Sequence, residues 1–341
     1  MNKPPFEIND NILNLVAMIT ERLMRLELSF DRKTDLYLRK ISKVKSVNSS
    51  CAIEANSLSE AEVFDLVDGK IIMASQKEID EVMNAYNVYE NIDKFDPYNV
   101  DSFLMAHKVL TTGLIPDSGK FRLGDIGVFE GKKAVHLGAR PDFVPDLIKN
   151  LFDWGKTSDV HPLIKACVIH YEIEAVHPFT DGNGRIGRLW QSLILQKYNK
   201  LFEFVPTETL VYENQQKYYN TLRQSDSLGS STVFVEFMLE IILQTIKEFD
   251  ATNALDGVKD IYLNQLSKTE MEILNQLVLY FGKNELLDIK TASNILNKTP
   301  ANIRKYFRNF IKHNILISIG ENKGRKYQLN KNILQTKKKP K

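Results

Sequence analysis

The sequence predicts a mainly α-helical protein, in which a helical bundle carries one short β-hairpin and is followed by a small helix-turn-helix domain. Apolar residues recur every three or four positions through most of the first 250 residues, which is the spacing of one helix face. Between residues 119 and 144 this spacing gives way to glycine and β-branched residues, which favour turns and strands. Beyond residue 258 the composition becomes basic, with 17 Lys and Arg against 6 Asp and Glu. This change indicates a separate C-terminal module.

The N-terminal part contains four helices that periodicity predicts. The first runs through "INDNILNLVAMITERLMRLELSF", with Asp10 as its candidate N-cap. The second opens at "SEAEVFDLVDGK", where Ser59 and Glu62 have the spacing of a capping box. Helical periodicity recurs over residues 77–92, and "VDSFLMAHKVLTTGL" predicts a fourth helix that stops at Gly113.

A hairpin and five further helices follow. In "IGVFEGKKAV" a Glu-Gly pair separates two apolar-leaning arms, which predicts a short β-hairpin. Helical periodicity then returns over residues 144–154, 162–176, 185–198, 213–222 and 233–249. We expect the helical signal to break around residues 251–256, ahead of the basic segment. Phe103, Trp154 and Trp190 are expected to lie in the core of the bundle.

The basic segment has an order of its own. "SKTEMEILNQLVLYF" predicts a helix with a capping box of Ser267 and Glu270, and "KTASNILN" predicts a shorter helix. Pro300 takes the first position of a third helix, "TPANIRKYFRNFIKHN". "ILISIGENKGRKYQL" predicts a strand, a turn and a strand. Three helices and a hairpin in this order are typical of a winged helix-turn-helix domain.

Composition and charge exclude several classes of protein. No run of 18 apolar residues occurs, so we expect no membrane span. The N-terminus "MNKPPFEIND" has no apolar region of the kind found in secretory signals. Cys51 and Cys167 are far apart in apolar surroundings, as expected of buried thiols in a reducing compartment. We therefore expect a cytoplasmic protein. The net charge of +2 divides into −9 for residues 1–258 and +11 for residues 259–341.

The stretch "HPFTDGNGRIGR", residues 177–188, contains G-x-G-x-x-G, the spacing of a dinucleotide-binding turn. That turn requires a strand immediately before its glycines. The preceding "PLIKACVIHYEIEAV" instead has the apolar spacing of a helix. The dinucleotide interpretation is therefore rejected.

The residue types of this stretch favour a phosphate site. Gly182 and Gly184 allow a sharp turn with outward N–H groups at the start of a helix, where the positive end of the dipole attracts anions. Arg185 and Arg188 lie three residues apart on the first turn of that helix, where both are able to reach phosphate oxygens.

Three further side chains add chemistry to the anion site. Asp181 offers a hard oxygen ligand for a phosphate-bound Mg²⁺, and Asn183 offers a hydrogen bond to a phosphoryl oxygen. His177 is the nearby side chain that accepts a proton near pH 7. His161, His170 and His177 have no metal-ligand spacing, and His170 is expected to be buried. A base, a metal ligand and an anion cradle together predict phosphoryl or nucleotidyl transfer to a hydroxyl.

The same stretch resembles the HPFx(D/E)GNGRxxR signature of the Fic (filamentation induced by cAMP) family at every fixed position. The resemblance extends to "PPFEINDNILNLVAMITERLMRLE", "AHKVLTTGL" and "GKFR", so that it covers about residues 5–245. It implies transfer of AMP from Mg·ATP to a Ser, Thr or Tyr hydroxyl of a protein. The hairpin would be the flap that pairs with the target segment.

The resemblance also implies a role for each residue of the motif. His177 would be the general base, Asp181 would bind Mg²⁺, and Phe179 would pack and fix the loop. The residues that would bind the nucleotide are Gly182, Asn183, Gly184, Arg185 and Arg188, the last of them at the γ-phosphate.

A second motif, "SSCAIEAN", resembles the inhibitory (S/T)xxxE(G/N) helix of the family. Ser50 and Glu54 are four residues apart on one helix face. The resemblance implies that Glu54 pairs with Arg188 and blocks productive placement of the γ-phosphate. Ala55 stands where the family usually has glycine, so this helix is able to end differently. In some relatives the same glutamate also supports removal of AMP, which stays open for this chain.

Three regions follow from the combined evidence: an N-terminal helical region at 1–95 with the inhibitory motif, a Fic catalytic core at 96–250, and a winged helix-turn-helix domain at 259–333. We expect an autoinhibited, Mg²⁺-dependent protein adenylyltransferase that uses ATP. Its substrate would be a protein with a hydroxyl side chain, the chain itself included, and a homo-oligomer is a further candidate assembly. A transferase that uses another nucleotide donor, such as UTP or CDP-choline, is one alternative.

The other alternative is a DNA-binding regulator whose Fic domain senses nucleotide. Basic residues lie on or near the third helix of the basic segment and on its hairpin, where they would follow a DNA backbone. They are Lys298, Arg304, Lys305, Arg308, Lys312, Lys323, Arg325 and Lys326. Many modules of this kind bind protein or only pack, so DNA binding stays open at this point.

Overall fold

The structure is a computed structural model of the chain. It describes residues 3–29, 35–130, 133–262, 267–313, 315–320 and 325–330. The chain divides into two compact units, Met1–Thr245 and Ile246–Lys341. Lys323 of the expected wing lies outside the described residues.

The first unit is built almost entirely from helices. Its one described sheet is a β-hairpin of β1 (Gly127–Glu130) and β2 (Lys133–Leu137), which pair antiparallel. Its helices are α1 (Asp10–Ser29), α2 (Asp35–Ile53), α3 (Glu60–Val67), α4 (Gln76–Glu90), α5 (Val100–Thr111), α6 (Val144–Thr157), α7 (Pro162–Val176), α8 (Asn183–Tyr198), α9 (Thr207–Glu213) and α10 (Gln215–Leu228). A further helix, α11 (Thr232–Tyr262), begins in this unit and includes the boundary between Thr245 and Ile246. Among the described helices of the whole chain, none is long and apolar enough to cross a membrane.

The predicted hairpin and the helical character of the bundle are confirmed. The segment before the glycine-rich stretch, residues 162–176, is the helix α7 and contains no strand, so the stretch lacks the strand that a dinucleotide-binding turn requires. The end of α11 was predicted wrongly. We expected a break around residues 251–256, but the helix continues to Tyr262. That stretch, "ATNALD", contains neither proline nor glycine, and its residue types cost only fractions of a kcal/mol each in a helix.

Side-chain caps fix several helix ends. Ser59 and Glu62 form the predicted capping box at the start of α3, with both reciprocal hydrogen bonds present. Asp10 was predicted to cap α1, but the helix begins at this residue and the side chain of Asn9 accepts from the N–H of Ile12 at 3.0 Å. The neighbouring asparagine is an equally good cap, so sequence alone did not separate the two.

Aromatic packing holds the centre of the first unit together. Phe103 lies with its ring centroid 5.0 Å from Trp190, 5.3 Å from Phe152 and 5.2 Å from Phe179. All four side chains are buried, as is Trp154, which confirms the three aromatic core predictions. Phe179 belongs to the glycine-rich loop, so this cluster anchors the loop to α5, α6 and α8.

A buried carboxylate ties α2 to the helices beside it. Glu208, in α9, is 2% exposed and accepts three hydrogen bonds from hydroxyl groups. The donors are Ser46 of α2 at 2.7 Å, Tyr89 of α4 at 2.9 Å and Ser192 of α8 at 2.5 Å. Because a buried carboxylate is costly without such donors, the contact fixes α2 next to α8.

The end of α2 is a Schellman motif. The N–H of Asn56 donates to the carbonyl of Cys51 at 3.1 Å, and that of Ala55 donates to the carbonyl of Ala52 at 3.0 Å. Ala55 has a φ of 67°, in the left-handed region where glycine is favoured. Alanine at position 55, where the family usually has glycine, therefore leaves the shape of this helix end intact and adds backbone strain.

The second unit has its own core. The described helices are α12 (Lys268–Lys283), α13 (Ile289–Leu296) and α14 (Pro300–Lys312), followed by a hairpin of β3 (Leu316–Ile319) and β4 (Lys326–Leu329). Leu287, ahead of α13, pairs antiparallel with Tyr327 of β4. The capping box of Ser267 and Glu270 and the position of Pro300 at the start of α14 are confirmed. The order of elements agrees with the sequence, while assignment to the winged helix-turn-helix class stays a prediction.

Replacing Ala55 with glycine should stabilise the first unit. The substitution relieves the left-handed strain, and we expect the free energy of unfolding to rise by about 0.5–1 kcal/mol. Both tryptophans, Trp154 and Trp190, lie in this unit, so urea unfolding followed by tryptophan fluorescence reports on it alone.

Ala52→Gly is the matched control, because Ala52 lies within α2. There the same change should lower the free energy of unfolding by about 1 kcal/mol. A shift of equal sign in the two variants would contradict the assignment of strain to Ala55.

Candidate functional site

The glycine-rich loop joins α7 to α8, which pack against each other in the first unit. His177 is the C-cap of α7 and has a φ of 52°, again in the left-handed region. A histidine in this conformation is uncommon, and such strain persists only where the surroundings impose it. The hydrogen bonds around the loop explain how His177 is held.

Arg122 holds the backbone on both sides of His177. Its Nε donates to the carbonyl of His177 at 2.6 Å, and its Nη2 donates to the carbonyls of Val176, at 3.3 Å, and Ala139. Its own N–H donates to the carbonyl of Pro178 at 3.0 Å. Arg122 is 2% exposed, so a buried cation is satisfied mainly by backbone carbonyls and thereby fixes the end of α7.

His107, in α5, fixes the other half of the loop. Its Nδ1 accepts from the N–H of Gly119 at 3.0 Å, so the ring is protonated at Nε2, which donates to the carbonyl of Asp181 at 2.9 Å. The ring also stacks on Phe179, with centroids 3.5 Å apart and planes at 4°. Burial lowers the pKa of His107 to about 4, so the neutral ring is the form that holds the loop.

Asn183 closes the loop on itself. Its Oδ1 accepts from the N–H of Phe179 at 2.9 Å, and its Nδ2 donates to the carbonyl of the same residue at 2.8 Å. The sequence suggested that this amide contacts a phosphoryl oxygen, but here both of its ends are engaged with the loop backbone. Its backbone N–H, at the first position of α8, is the group that the helix start leaves for an anion.

Two glycines shape the start of α8. Gly182 is its N-cap, with a φ of 82°, and a Cβ there would lie 3.0 Å from Thr111. A Cβ on Gly184 would collide with the carboxylate of Glu54 and would lie 3.0 Å from Nη1 of Arg188. The first position therefore needs glycine for its conformation, and the second for close approach.

Arg185 is buried next to the loop, with unused donors. It is 4% exposed, and its Nη2 donates to Oδ1 of Asp181 at 3.3 Å. Nε and Nη1 have no hydrogen-bond acceptor among the described residues, although Nη1 lies 3.9 Å from the carboxylate of Glu81. Buried guanidinium donors without acceptors are costly, so this position is suited to an anion.

Arg188 is paired with the end of α2. Its Nε donates to the hydroxyl of Ser50 at 3.0 Å, and its Nη2 donates to the carbonyl of Ser50 at 3.0 Å and to Oε1 of Glu54 at 2.7 Å. Burial acts to lower the pKa of Arg188, but the negative charges of Glu54 and Glu174 raise it above its usual value. Arg188 is 3% exposed and Glu54 about a third exposed, so solvent reaches the carboxylate side of the pair.

A polar group behind Arg188 completes the site. His170 is fully buried, with Nδ1 2.7 Å from Gln191 Oε1 and Nε2 3.1 Å from the hydroxyl of Tyr218. That hydroxyl is 3.1 Å from Glu174 Oε1. Burial lowers the pKa of His170 to about 3, so the prediction of a buried histidine is confirmed. Among the described residues, no group of three or more His, Cys, Asp and Glu is placed to hold a metal ion by itself.

The structure brings most of the expected residues together. The loop places His177 and Asp181 beside the start of α8, and Ser50 and Glu54 reach Arg188 from α2 across 134 to 138 residues of chain. The sequence interpretation missed Arg122 and Glu81, while His107, expected to be structural, is buried and holds the loop. An isolated charged or polar residue in a helix or loop gives no local sequence signal of its role, because its contact partners are far away in the sequence.

The fold and the site define a class: helical proteins that form an anion cradle at the start of a buried helix and face it with a carboxylate from another segment. A sequence model of the Fic/DOC family matches residues 97–195. The crystal structure of a Fic family protein from Desulfovibrio desulfuricans G20 is 31% identical in sequence, with a TM-score of 0.72 and complete coverage of both chains. This chain therefore belongs to the Fic family.

Curated relatives are also similar in sequence. Protein adenylyltransferase fic-1 of Caenorhabditis elegans is 26% identical over 247 residues, which are 68% of this chain and 46% of the relative. Protein adenylyltransferase Fic of Nematostella vectensis is 25% identical over 60% of this chain and 48% of its own length. The chain thus spans about half the length of these curated relatives.

The buried histidines predict how stability depends on pH. The pKa values of His107 and His170 are about 4 and about 3 in the folded chain, so between pH 6.5 and 4.5 only the unfolded chain binds their protons. The free energy of unfolding should fall with pH in this window. In His107→Gln, which lacks one such group, the fall should be smaller by roughly 2–3 kcal/mol.

Glu172→Gln is the control of opposite sign. Burial raises the pKa of Glu172 to about 7, so this group binds a proton in the folded chain first and opposes the histidines between pH 7 and 4.5. Its removal should make the fall with decreasing pH steeper. Urea unfolding at a series of pH values measures both slopes, and identical slopes in the two variants would contradict the assignment.

Proposed function

We propose that this chain is a Mg²⁺-dependent protein adenylyltransferase, held inactive by Glu54, that transfers AMP from ATP to a hydroxyl side chain of a protein. The observation that carries the proposal is the strained loop, which brings His177, the amides at the start of α8 and two buried arginines to one place. Residues 1–95 would carry the inhibitory segment, and residues 96–250 would form the catalytic core. The similarity to curated protein adenylyltransferases supports the choice of reaction.

His177 is suited to act as the general base. Its Nδ1 is 3.2 Å from the carbonyl of Glu174, which only accepts, so Nδ1 carries the proton and Nε2 the lone pair. In the proposed reaction the hydroxyl oxygen of the target attacks the α-phosphorus and its proton passes to Nε2. The bond between the α-phosphorus and the bridging oxygen breaks, and pyrophosphate leaves.

The start of α8 is suited to hold the phosphates. Amides at a helix start lack intrahelical acceptors, and the open donors of Arg185 need an anion. Asp181 is about half exposed beside them, so its carboxylate fits a Mg²⁺ ion that takes its other ligands from phosphates and water. Such an ion would neutralise charge on the phosphates.

Glu54 would inhibit by occupying Arg188. The family resemblance assigns this arginine to the γ-phosphate, and a carboxylate at 2.7 Å both uses its donor and repels a triphosphate. Asn56 extends the same end of α2 toward the second arginine, since its Nδ2 donates to Glu81 Oε2 at 3.0 Å. Release of this segment would therefore free Arg188 and remove the Asn56 contact from Glu81.

The hairpin supports a protein substrate. β1 and β2 form a two-stranded sheet in the described part of the chain, which leaves strand edges able to pair with an extended peptide. The hairpin continues into Ala139, whose N–H donates to the carbonyl of Val176 at 3.2 Å, next to His177. A peptide paired with the hairpin would bring its hydroxyl side chain toward the base. A protein in the cell or the chain itself would serve as substrate.

His177→Ala should abolish AMP transfer, and Glu54→Gly should raise it. A freed charged hydrogen bond is worth about 1.5–3 kcal/mol, so we expect a gain of roughly tenfold or more in Glu54→Gly. The measurement is covalent label on the chain itself and on lysate proteins after incubation with ATP labelled at the α-phosphate. ATP labelled at the γ-phosphate should leave no label.

Glu60→Gly, an exposed glutamate of α3, is the control and should behave as the unaltered chain. UTP and CDP-choline, supplied with label in place of ATP, test the other donors. Label transfer that survives in His177→Ala would contradict the proposed mechanism. Transfer of label from UTP or CDP-choline but not from ATP would identify that nucleotide as the donor.

Removal of Mg²⁺ should also abolish transfer. EDTA is expected to reduce the label to background, and added Mg²⁺ to restore it, because the cation neutralises phosphate charge. Asp181→Asn should need a higher Mg²⁺ concentration for half-maximal transfer than the unaltered chain. Thr180→Ala, which removes an exposed hydroxyl on the neighbouring residue, should need the same concentration. An Asp181→Asn variant with an unchanged requirement would contradict the assignment of the metal ligand.

A further inference from the structure

We propose that the second unit binds duplex DNA, with α14 in the major groove. The proposal is separate from AMP transfer and uses none of the residues of that site. It rests on the charge of the α13–α14 segment, on the short turn between these helices and on a basic groove beside them.

The charge is concentrated on one segment. Residues 289–312, which form α13, the turn and α14, contain six Lys and Arg and no Asp or Glu. Along α14, Ile303, Phe307 and Phe310 are buried in the core of the unit. Asn302, Arg304, Lys305 and Arg308 of the same helix are exposed. One face of the helix is thus fixed by packing, and the opposite face presents cations and an amide.

The connection between α13 and α14 has the length of the turn in a helix-turn-helix. Only residues 297–299 separate the two helices, and Asn297 makes the turn with a φ of 47°. The hydroxyl of Thr299 caps α14, and Pro300 begins it. In DNA-binding proteins of this geometry the N-terminal residues of the second helix contact base edges. Asn302 and Arg304 occupy those positions here.

A groove beside α14 is lined by further cations. It has a volume of about 1030 Å³ between α13, α14 and β4, and Lys290, Arg304, Arg308, Arg325 and Lys326 line it. Among the described residues around the groove the carboxylate is Asp288, which already accepts from the N–H of Thr291 at 2.8 Å. The hydroxyl of Ser293, also in the lining, is buried and has no hydrogen-bond partner in the described part of the chain. Phosphate oxygens of DNA would pair with the cations of this groove.

Duplex DNA fits this surface better than RNA. The 13 residues of α14 span about 20 Å, and the major groove of B-DNA, about 12 Å wide, admits a helix. The major groove of A-form RNA is too narrow for one. Arginine and asparagine are the side chains that read guanine and adenine in the major groove. The cations of the hairpin would contact the adjacent phosphates.

The full chain should bind a fluorescent, mixed-sequence duplex of about 30 base pairs, three helical turns, in anisotropy titrations. The logarithm of the binding constant should fall with the logarithm of the salt concentration with a slope of about −3.5 to −4, as four phosphate contacts by Lys290, Arg308, Arg325 and Lys326 require. Arg304→Ala/Arg308→Ala should weaken binding by roughly tenfold or more and reduce the slope by about 1, since Arg308 contacts phosphate and Arg304 the bases. Both side chains are exposed, so the unfolding transition of the unit should not change.

Lys149→Ala/Lys156→Ala, which removes two exposed cations of α6 in the first unit, is the matched control and should bind as the unaltered chain. His177→Ala should also bind normally, which separates this proposal from adenylyl transfer. Equal loss in the two double variants, absence of binding at low salt, or tighter binding of a double-stranded RNA of the same length would each overturn the proposal.

Discussion

The arrangement of the first unit depends on the pairing of Arg188 with the end of α2. A guanidinium that is 3% exposed is strongly destabilising unless it has acceptors, and Ser50 with Glu54 supplies them. These residues lie outside the matched Fic/DOC range, residues 97–195, so the site is completed by a segment that the family match does not include. Glu208 holds α2 in place through Ser46 and Ser192, which makes the pairing a property of the fold and not of two mobile side chains. Under the proposed function one guanidinium would serve both the carboxylate and a phosphate, so occupation by Glu54 and by a nucleotide would exclude each other.

The loop itself is kept rigid by neutral or buried partners. His177 has a left-handed backbone, and Arg122 satisfies the carbonyls that this conformation exposes. His107 holds Asp181 from the other side, and it does so in its neutral form because burial lowers its pKa. Nucleophile activation and phosphate binding, which we propose for this loop, would demand placement within fractions of an ångström, and the buried polar groups that support these six residues are suited to provide it.

The two proposed anion sites would bind their ligands by different physical effects. In the first unit the arginines are buried beside the start of α8 and Arg188 is paired with Glu54, so the proposed binding there would require the displacement of Glu54. In the second unit, exposed cations such as Arg304 and Arg308 line an open groove, so binding would be governed by counterion release and would weaken steeply with salt. Salt dependence is therefore the simplest property by which the two activities are told apart.

The sequence by itself determined the local chemistry. The helical periods, the capping boxes at Ser59 and Ser267, the hairpin and the G-x-G cradle all depend on residues within a few positions of one another, so a single segment carries the information. The pairing of Glu54 with Arg188, by contrast, was predicted only from the resemblance to the Fic family. The tertiary structure alone decided which distant residues hold the loop, namely Arg122 and His107, and it assigned the Asn183 amide to Phe179. It also decided that α11 continues past residue 256, where the helix preferences of the local residues are too weak to predict either a helix or a break. Arg122 and His107 lie 55 and 74 residues from the carbonyls that they hold, so no local pattern records these contacts. Asn183 and Phe179 are four residues apart, but their contact depends on a loop conformation that the packing of the fold imposes.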